Sequence, residues 1–178
     1  MGGLGLVTFS WRIVLACRTP GSAVATLHPG LLLRLGLGAL SLTVMLGAWL
    51  GASYAALACT SIPGCDGVWW PAAAGLSALN PFLRQVAAPP TGDAGGVMLH
   101  LLHRYLALAT FLILGSAALQ LLRNEARRKT AAAILALLIL ELVVGGLTVL
   151  SGLSLWLVLA HGLIAAALLV SVATLLRR

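Results

Sequence analysis

Residues 131–176 read AAAILALLILELVVGGLTVLSGLSLWLVLAHGLIAAALLVSVATLL, and Glu141 and His161 are the only ionisable side chains in that stretch. About 20 consecutive apolar residues span a hydrocarbon core as a helix. The stretch is therefore two spans, roughly 131–150 and 154–176, joined by an SGL turn that forces a tight antiparallel hairpin. Toward the N-terminus, two further charge-poor runs at about 35–57 and 97–122 bring the number of spans to four. The 178 residues are 61% hydrophobic and only 8% charged, where a soluble domain carries about a quarter charged residues. Lipid offers no partners to exposed backbone groups, so each span must be helical. The expected fold is an all-α membrane protein, a four-helix transmembrane bundle. It has a lead over residues 1–30, an outer loop over 58–96 and no room for a separate soluble domain. The functional residues must then lie in the bundle itself, residues 31–178.

The net charge of +7 is a topology signal. Arg12, Arg18, Arg34, Arg123, Arg127, Arg128, Lys129, Arg177 and Arg178 fall on one face of the expected bundle, nine of the eleven basic residues. Basic residues collect on the cytoplasmic side, which puts both termini there and argues against a nucleic-acid partner. The exceptions are Arg84, in the outer loop, and Arg104, inside the second span. The N-terminal MGGLGLVTFSWRIVLACRTP lacks leading positive charge, and Arg12 interrupts its apolar run. It reads as an inner-surface helix or flexible lead and not as a secretory signal.

Cys17 falls on the reducing inner side, whereas Cys59 and Cys65 open the outer loop, where a disulfide can persist. Two readings of CTSIPGC stand at this point: a small disulfide-closed ring, or two small apolar residues at a helix end. No histidine lies nearby to make a zinc site. The rest of the loop holds Pro71, Pro81, Pro89 and Pro90 together with Trp69, Trp70 and Phe82, aromatics suited to the headgroup level or to a lid over the bundle.

Ionisable residues inside a membrane are costly and usually face the bundle interior. Here they are His100, His103, Arg104, Glu141 and His161, with Gln120 near the inner end. His103 and His161 both fall roughly 10 Å below the outer surface at 1.5 Å per residue. Two imidazoles at equal depth on two helices of one bundle are suited to hold the iron of a haem between them; the bland alternative is that each bonds a backbone carbonyl and fills space. The Arg104 guanidinium stays charged and needs an anion, such as a haem propionate, or the interface within snorkelling reach. His100 is one turn outward on the same face, placed to bond a propionate, to bind a second metal, or to sit at the interface. HLLH lacks the glutamate of HExxH, so a zinc protease is not indicated. Glu141 falls near mid-membrane, as a protonated acid bonded to a neighbouring helix or as part of a proton-handling network. Gly47, Gly51, Gly145 and Gly146 allow close helix approach.

SYAALACTSIPGCDGVWWP, HLLHRYLAL and LELVVGGLTVLSGLSLWLVLAHGLIAAALL together resemble, in order and spacing, the heme A synthase family, membrane enzymes that oxidise the methyl group of heme O to the formyl group of heme A. The resemblance runs from about Leu31 to the C-terminus. Members usually have eight spans in two similar halves, and this chain looks most like the C-terminal half. What the resemblance implies is a haem b (heme B) held by His103 and His161, a loop cysteine pair at Cys59 and Cys65, and heme O and heme A as substrate and product. It also implies a bacterial or archaeal inner membrane, a homo-oligomer or second half-size chain supplying the other half, and heme O synthase and a terminal oxidase as partners. Many relatives carry an amide where this chain has Glu141. A bis-histidine cytochrome b that only carries electrons, and a haem-holding assembly factor, are the alternatives of other classes.

Overall fold

A computed structural model of the protein describes residues 30–80 and 91–177. The lead with Arg12, Cys17 and Arg18, the loop stretch 81–90 with Phe82 and Arg84, and Arg178 lie outside the described residues. Four helices carry the fold: α1 (Leu31–Ala52), α2 (Ala94–Leu121), α3 (Glu125–Leu150) and α4 (Leu155–Arg177). Each is long and apolar enough to cross a membrane. Two short 3-10 segments, Ala55–Ala58 and Ala73–Leu79, lie between α1 and α2. The closest pairs are α1 with α2 and α3 with α4; α2 against α3 and α1 against α4 close the ring.

Helix ends differ from the hydropathy limits for physical reasons. α1 stops at Ala52, five residues short of the expected Leu57: the Ser53 hydroxyl caps the Trp49 carbonyl at 2.8 Å, and the Tyr54 amide leaves the helical pattern for the Gly51 carbonyl at 3.2 Å. Tyr54 then takes a left-handed φ of 57°. α3 begins at Glu125 rather than near 131: the amides of Arg127 and Arg128 donate to the Asn124 carbonyl, and Glu125 sits in the first turn, where the helix dipole favours an acid. Hydropathy marks where a helix enters lipid, whereas hydrogen bonding marks where it starts. α2, with 28 residues, is about 42 Å long at 1.5 Å per residue and outreaches a core of about 30 Å. Its outer end is capped by Asp93, whose carboxylate accepts from the Gly96 amide at 2.8 Å. The loop packs there without clearance: a Cβ on Gly75 would stand 2.3 Å from the Ala94 carbonyl oxygen, and one on Gly96 2.4 Å from the Ala58 Cβ.

The expected hairpin between the last two spans is present. Gly152 and Leu153 both adopt positive φ, 65° and 64°, and their amides return to the Val149 and Thr148 carbonyls at 3.1 and 2.9 Å. Two smaller apolar clusters, around Val97, Leu101, Cys59 and Cys65 and around Leu50, Ala55 and Leu99, pack the outer end beneath the loop; the largest fills the inner half of the bundle. Leu40, Leu114, Ile134, Leu138, Leu168 and Val172 are among its buried members, and on α3 and α4 the cluster stops outward at Leu138 and Leu168. At its upper edge Thr43 of α1 and Thr110 of α2 bond each other at 2.9 Å while each also reaches its own i−4 carbonyl. Two hydroxyl protons serve three contacts, so each contact is only partly made. Thr43→Val should therefore cost only about 0.6 kcal/mol, the average for an interhelical hydrogen bond in a membrane, as measured by reversible detergent denaturation.

Candidate functional site

The outer half of the bundle is where the ionisable residues gather. His103 projects from α2 onto α1 at Gly47, and His161 projects from α4 onto α3 at Gly145. A Cβ on Gly47 would fall 3.0, 3.5 and 3.7 Å from Cε1, Nδ1 and Nε2 of His103, and a Cβ on Gly145 would repeat the same three distances to His161. Each imidazole thus lies on a bare backbone patch of the antiparallel neighbour, at a separation that a side chain would obstruct. The two rings stand on α2 and α4, which face each other diagonally across the ring of helices. The glycines, read as helix-contact residues, turn out to be ring beds.

Glu141 joins this group. Its Oε1 lies 3.2 Å from Nδ1 of His161, close in distance but without the N–H alignment of a hydrogen bond, since that Nδ1 is also unpartnered. Glu141 and Gly145 are four residues apart, so the α3 face that seats the ring also presents the carboxylate.

Arg104 serves the outer loop. Its Nη1 donates to the carbonyls of Pro63, at 3.1 Å, and of Gly64, while its Nη2 is buried without a partner. Both carbonyls belong to the ring closed by a disulfide between Cys59 and Cys65, whose Cα atoms are 4.9 Å apart. Next to Arg104, Tyr105 donates its hydroxyl to the Trp69 carbonyl, and its ring meets that of Trp70 at 5.9 Å between centroids. On the far side of the ring Ile62 reaches α3, where its Cδ1 would lie 3.5 Å from a Cβ on Gly146. The disulfide ring therefore bridges α2 and α3 above the histidines. No single motif in the chain announced this; the adjacency of Arg104 and Tyr105 to His103 was its only sequence trace.

Just past the ring, Asp66 reaches back into it, accepting from the Thr60 hydroxyl at 2.7 Å and the Thr60 amide at 3.1 Å, while the Ser61 hydroxyl accepts from the Asp66 amide at 2.7 Å. Asp66 and Gly67 hold positive φ and let Cys65 and Val68 exchange backbone bonds, both 2.8 Å. His100, one turn outward from His103, is 4% exposed, and its Nδ1 is unpartnered.

Among the described residues, the buried side-chain atoms lacking a hydrogen-bond partner are Nδ1 of His100, His103 and His161, Nη2 of Arg104 and Oε2 of Glu141. At about 1–3 kcal/mol each this set rivals the stability of a small domain, about 5–15 kcal/mol. All five belong to residues of the outer half, outward of the largest apolar cluster. A planar group with a metal at its centre and carboxylates at its edge fits this donor set, since imidazoles ligate iron and a guanidinium pairs with carboxylate.

These features define a polytopic membrane protein whose polar site is built from facing histidines beneath a disulfide-closed loop. A family model described as cytochrome oxidase assembly protein matches residues 1–173. A heme A synthase of Shewanella oneidensis is 30% identical over 186 residues, an alignment that covers 98% of this chain and 55% of that protein. The chain thus belongs to the heme A synthase family of cytochrome oxidase assembly proteins, and it spans about half the length of the relative it matches. No solved structure matches it.

Two outcomes follow for the loop. The Thr60 hydroxyl and then the Thr60 amide hold the Asp66 carboxyl below its ordinary pKa of 3.8. A depressed pKa means that the stabilisation is present above 3.8 and lost as pH falls through the lower folded value. Hydrogen exchange at the Thr60 amide should lose protection on acidification below about pH 4, and Asp66→Asn should abolish that dependence. Arg104→Met should release Pro63 and Gly64, so Cys59 and Cys65 become alkylated faster under mild reductant than in the unaltered protein.

Proposed function

We propose that this chain is a half-length, heme A synthase-like membrane haemoprotein of a bacterial or archaeal inner membrane. In this reading residues 31–178 form one haem-binding bundle, preceded by an inner-face lead. His103 and His161 supply the axial ligands of a haem b, and Arg104 through Nη2 and His100 through Nδ1 bind its propionates. The observation that carries the reading is the paired seating of the two imidazoles on Gly47 and Gly145, which places one histidine on a matching glycine bed in each helix pair of one bundle. Bound haem would supply one-electron redox chemistry. The chain's own residues orient it: the glycine beds fix both rings, the Cys59–Cys65 ring closes the outer mouth, and the packed inner half blocks deeper entry.

The activity that goes with this reading is oxidation of the heme O methyl group toward heme A for terminal oxidase assembly. A second copy, or a second half-length chain, supplies the other half, and heme O synthase and the oxidase are the partners. A single histidine pair on four helices favours a second reading as well, an electron-carrying cytochrome b or a haem-holding assembly factor that performs no oxidation. Coexpression with a heme O source, followed by chromatography of the extracted haems, separates the two: heme A supports the first, and heme B alone supports the second.

Both readings need haem. The purified protein should show a Soret band that His103→Ala and His161→Ala each abolish or shift to a high-spin form; a spectrum unchanged by both variants would sink them. Gly47→Val and Gly145→Val should each lower haem occupancy several-fold, because their side chains occupy the space of the rings.

A further inference from the structure

The two ring beds match in distance but differ in what stands one turn inward of each glycine. Four residues before Gly47 is Thr43, already engaged with the Ala39 carbonyl and Thr110. Four residues before Gly145 is Glu141, whose Oε1 stands 3.2 Å from Nδ1 of His161 and whose Oε2 has no partner. His161 is the partner that the described residues offer this carboxyl within ion-pair distance. The His161 side chain is 31% exposed, so the ring has room to turn and align its N–H. Among the described residues no carboxylate comes within ion-pair distance of His103; the neutral backbone carbonyl of Thr43 is what its ring meets there, and its buried Nδ1 has no aligned hydrogen-bond partner.

We propose that Glu141 is a positioning residue that makes the two histidines electronically unequal. Its carboxylate accepts a hydrogen bond from Nδ1–H of His161, which commits Nε2 of that ring to iron and raises its donor strength, while His103 has only the neutral Thr43 carbonyl behind it. A carboxylate or carbonyl behind a metal-bound histidine fixes its tautomer and raises its basicity, and a stronger axial donor favours the ferric state. The inference rests on the haem reading above. It assigns Glu141 a role in setting the potential of the site, where mid-membrane depth alone suggested a helix-bonding acid or a proton carrier.

The test is a spectroelectrochemical titration of the haem-loaded full chain, unaltered and as Glu141→Gln and Thr43→Val. Glu141→Gln should keep the haem and raise the midpoint potential, with about a tenfold change in the reduction equilibrium, which is about 59 mV for one electron. Thr43→Val, at the matching place on the other bed, should leave the potential where it was. Haem retained in Glu141→Gln at an unchanged potential overturns the inference and leaves the haem reading standing. Loss of haem in that variant shifts the decision to the ferric low-spin electron paramagnetic resonance spectrum of the unaltered protein. The expected result there is the narrowed g-spread of a centre with one imidazolate-like ligand, and the spread of two neutral imidazoles overturns the inference. An unaltered protein that takes up no haem overturns the underlying reading and this inference together.

Discussion

An imidazole laid on a helix backbone demands a glycine beneath it, and that demand, met twice, sets the spacing on which the outer half of this bundle depends. His103 on Gly47 and His161 on Gly145 show the same contact distances, so the α1/α2 and α3/α4 pairs share one device. Below that level the bundle is ordinary: leucine, isoleucine, valine and alanine fill it. Above it, histidine, arginine and glutamate share the interior with two smaller apolar clusters. The division is energetic as well as spatial. The inner half can hold the helices together by close packing and polar contacts such as Thr43 to Thr110, which leaves the outer half free to keep polar atoms without protein partners.

The outer loop is tied into this arrangement from both sides. Arg104 and Tyr105 follow His103 directly on α2 and bind the carbonyls of Pro63, Gly64 and Trp69, while Gly146 follows Gly145 and receives Ile62. A residue that seats or forms a ring bed is thus followed by one that fixes the cover. Displacement of the loop would be felt at both beds through one peptide unit.

Four spans, the close hairpin and the separation of charge were legible in the sequence because each depends on local hydropathy or on a turn of fixed length. The equal depth of His103 and His161 was legible too, since helical rise converts residue count into distance. The helix limits were less so: Ser53 and Tyr54 end α1 by hydrogen bonding and backbone conformation, without glycine or proline at those two positions. Which glycine lies beneath which histidine depends on the register between antiparallel helices, and spacing within one helix cannot report it. For Arg104 the charge signalled a need for partners, but nothing local indicated that carbonyls forty residues earlier would meet part of it. Cys59 and Cys65 left two readings open, because six residues of spacing fit both a disulfide ring and a helix end; the structure joins them in a disulfide.

The placement of the largest apolar cluster in the inner half has an electrical consequence. From His161 to the inner end of α4 is a run of 16 residues, about 24 Å along the axis, through a region whose buried cluster is hydrocarbon. That half behaves as an insulating plug. A charged group reaching the polar site through that half would cross hydrocarbon first, so the shorter paths lie through the loop-bearing end or sideways between helices. The polar site and the basic cluster of Arg123, Arg127, Arg128 and Lys129 thus lie on opposite sides of an apolar barrier.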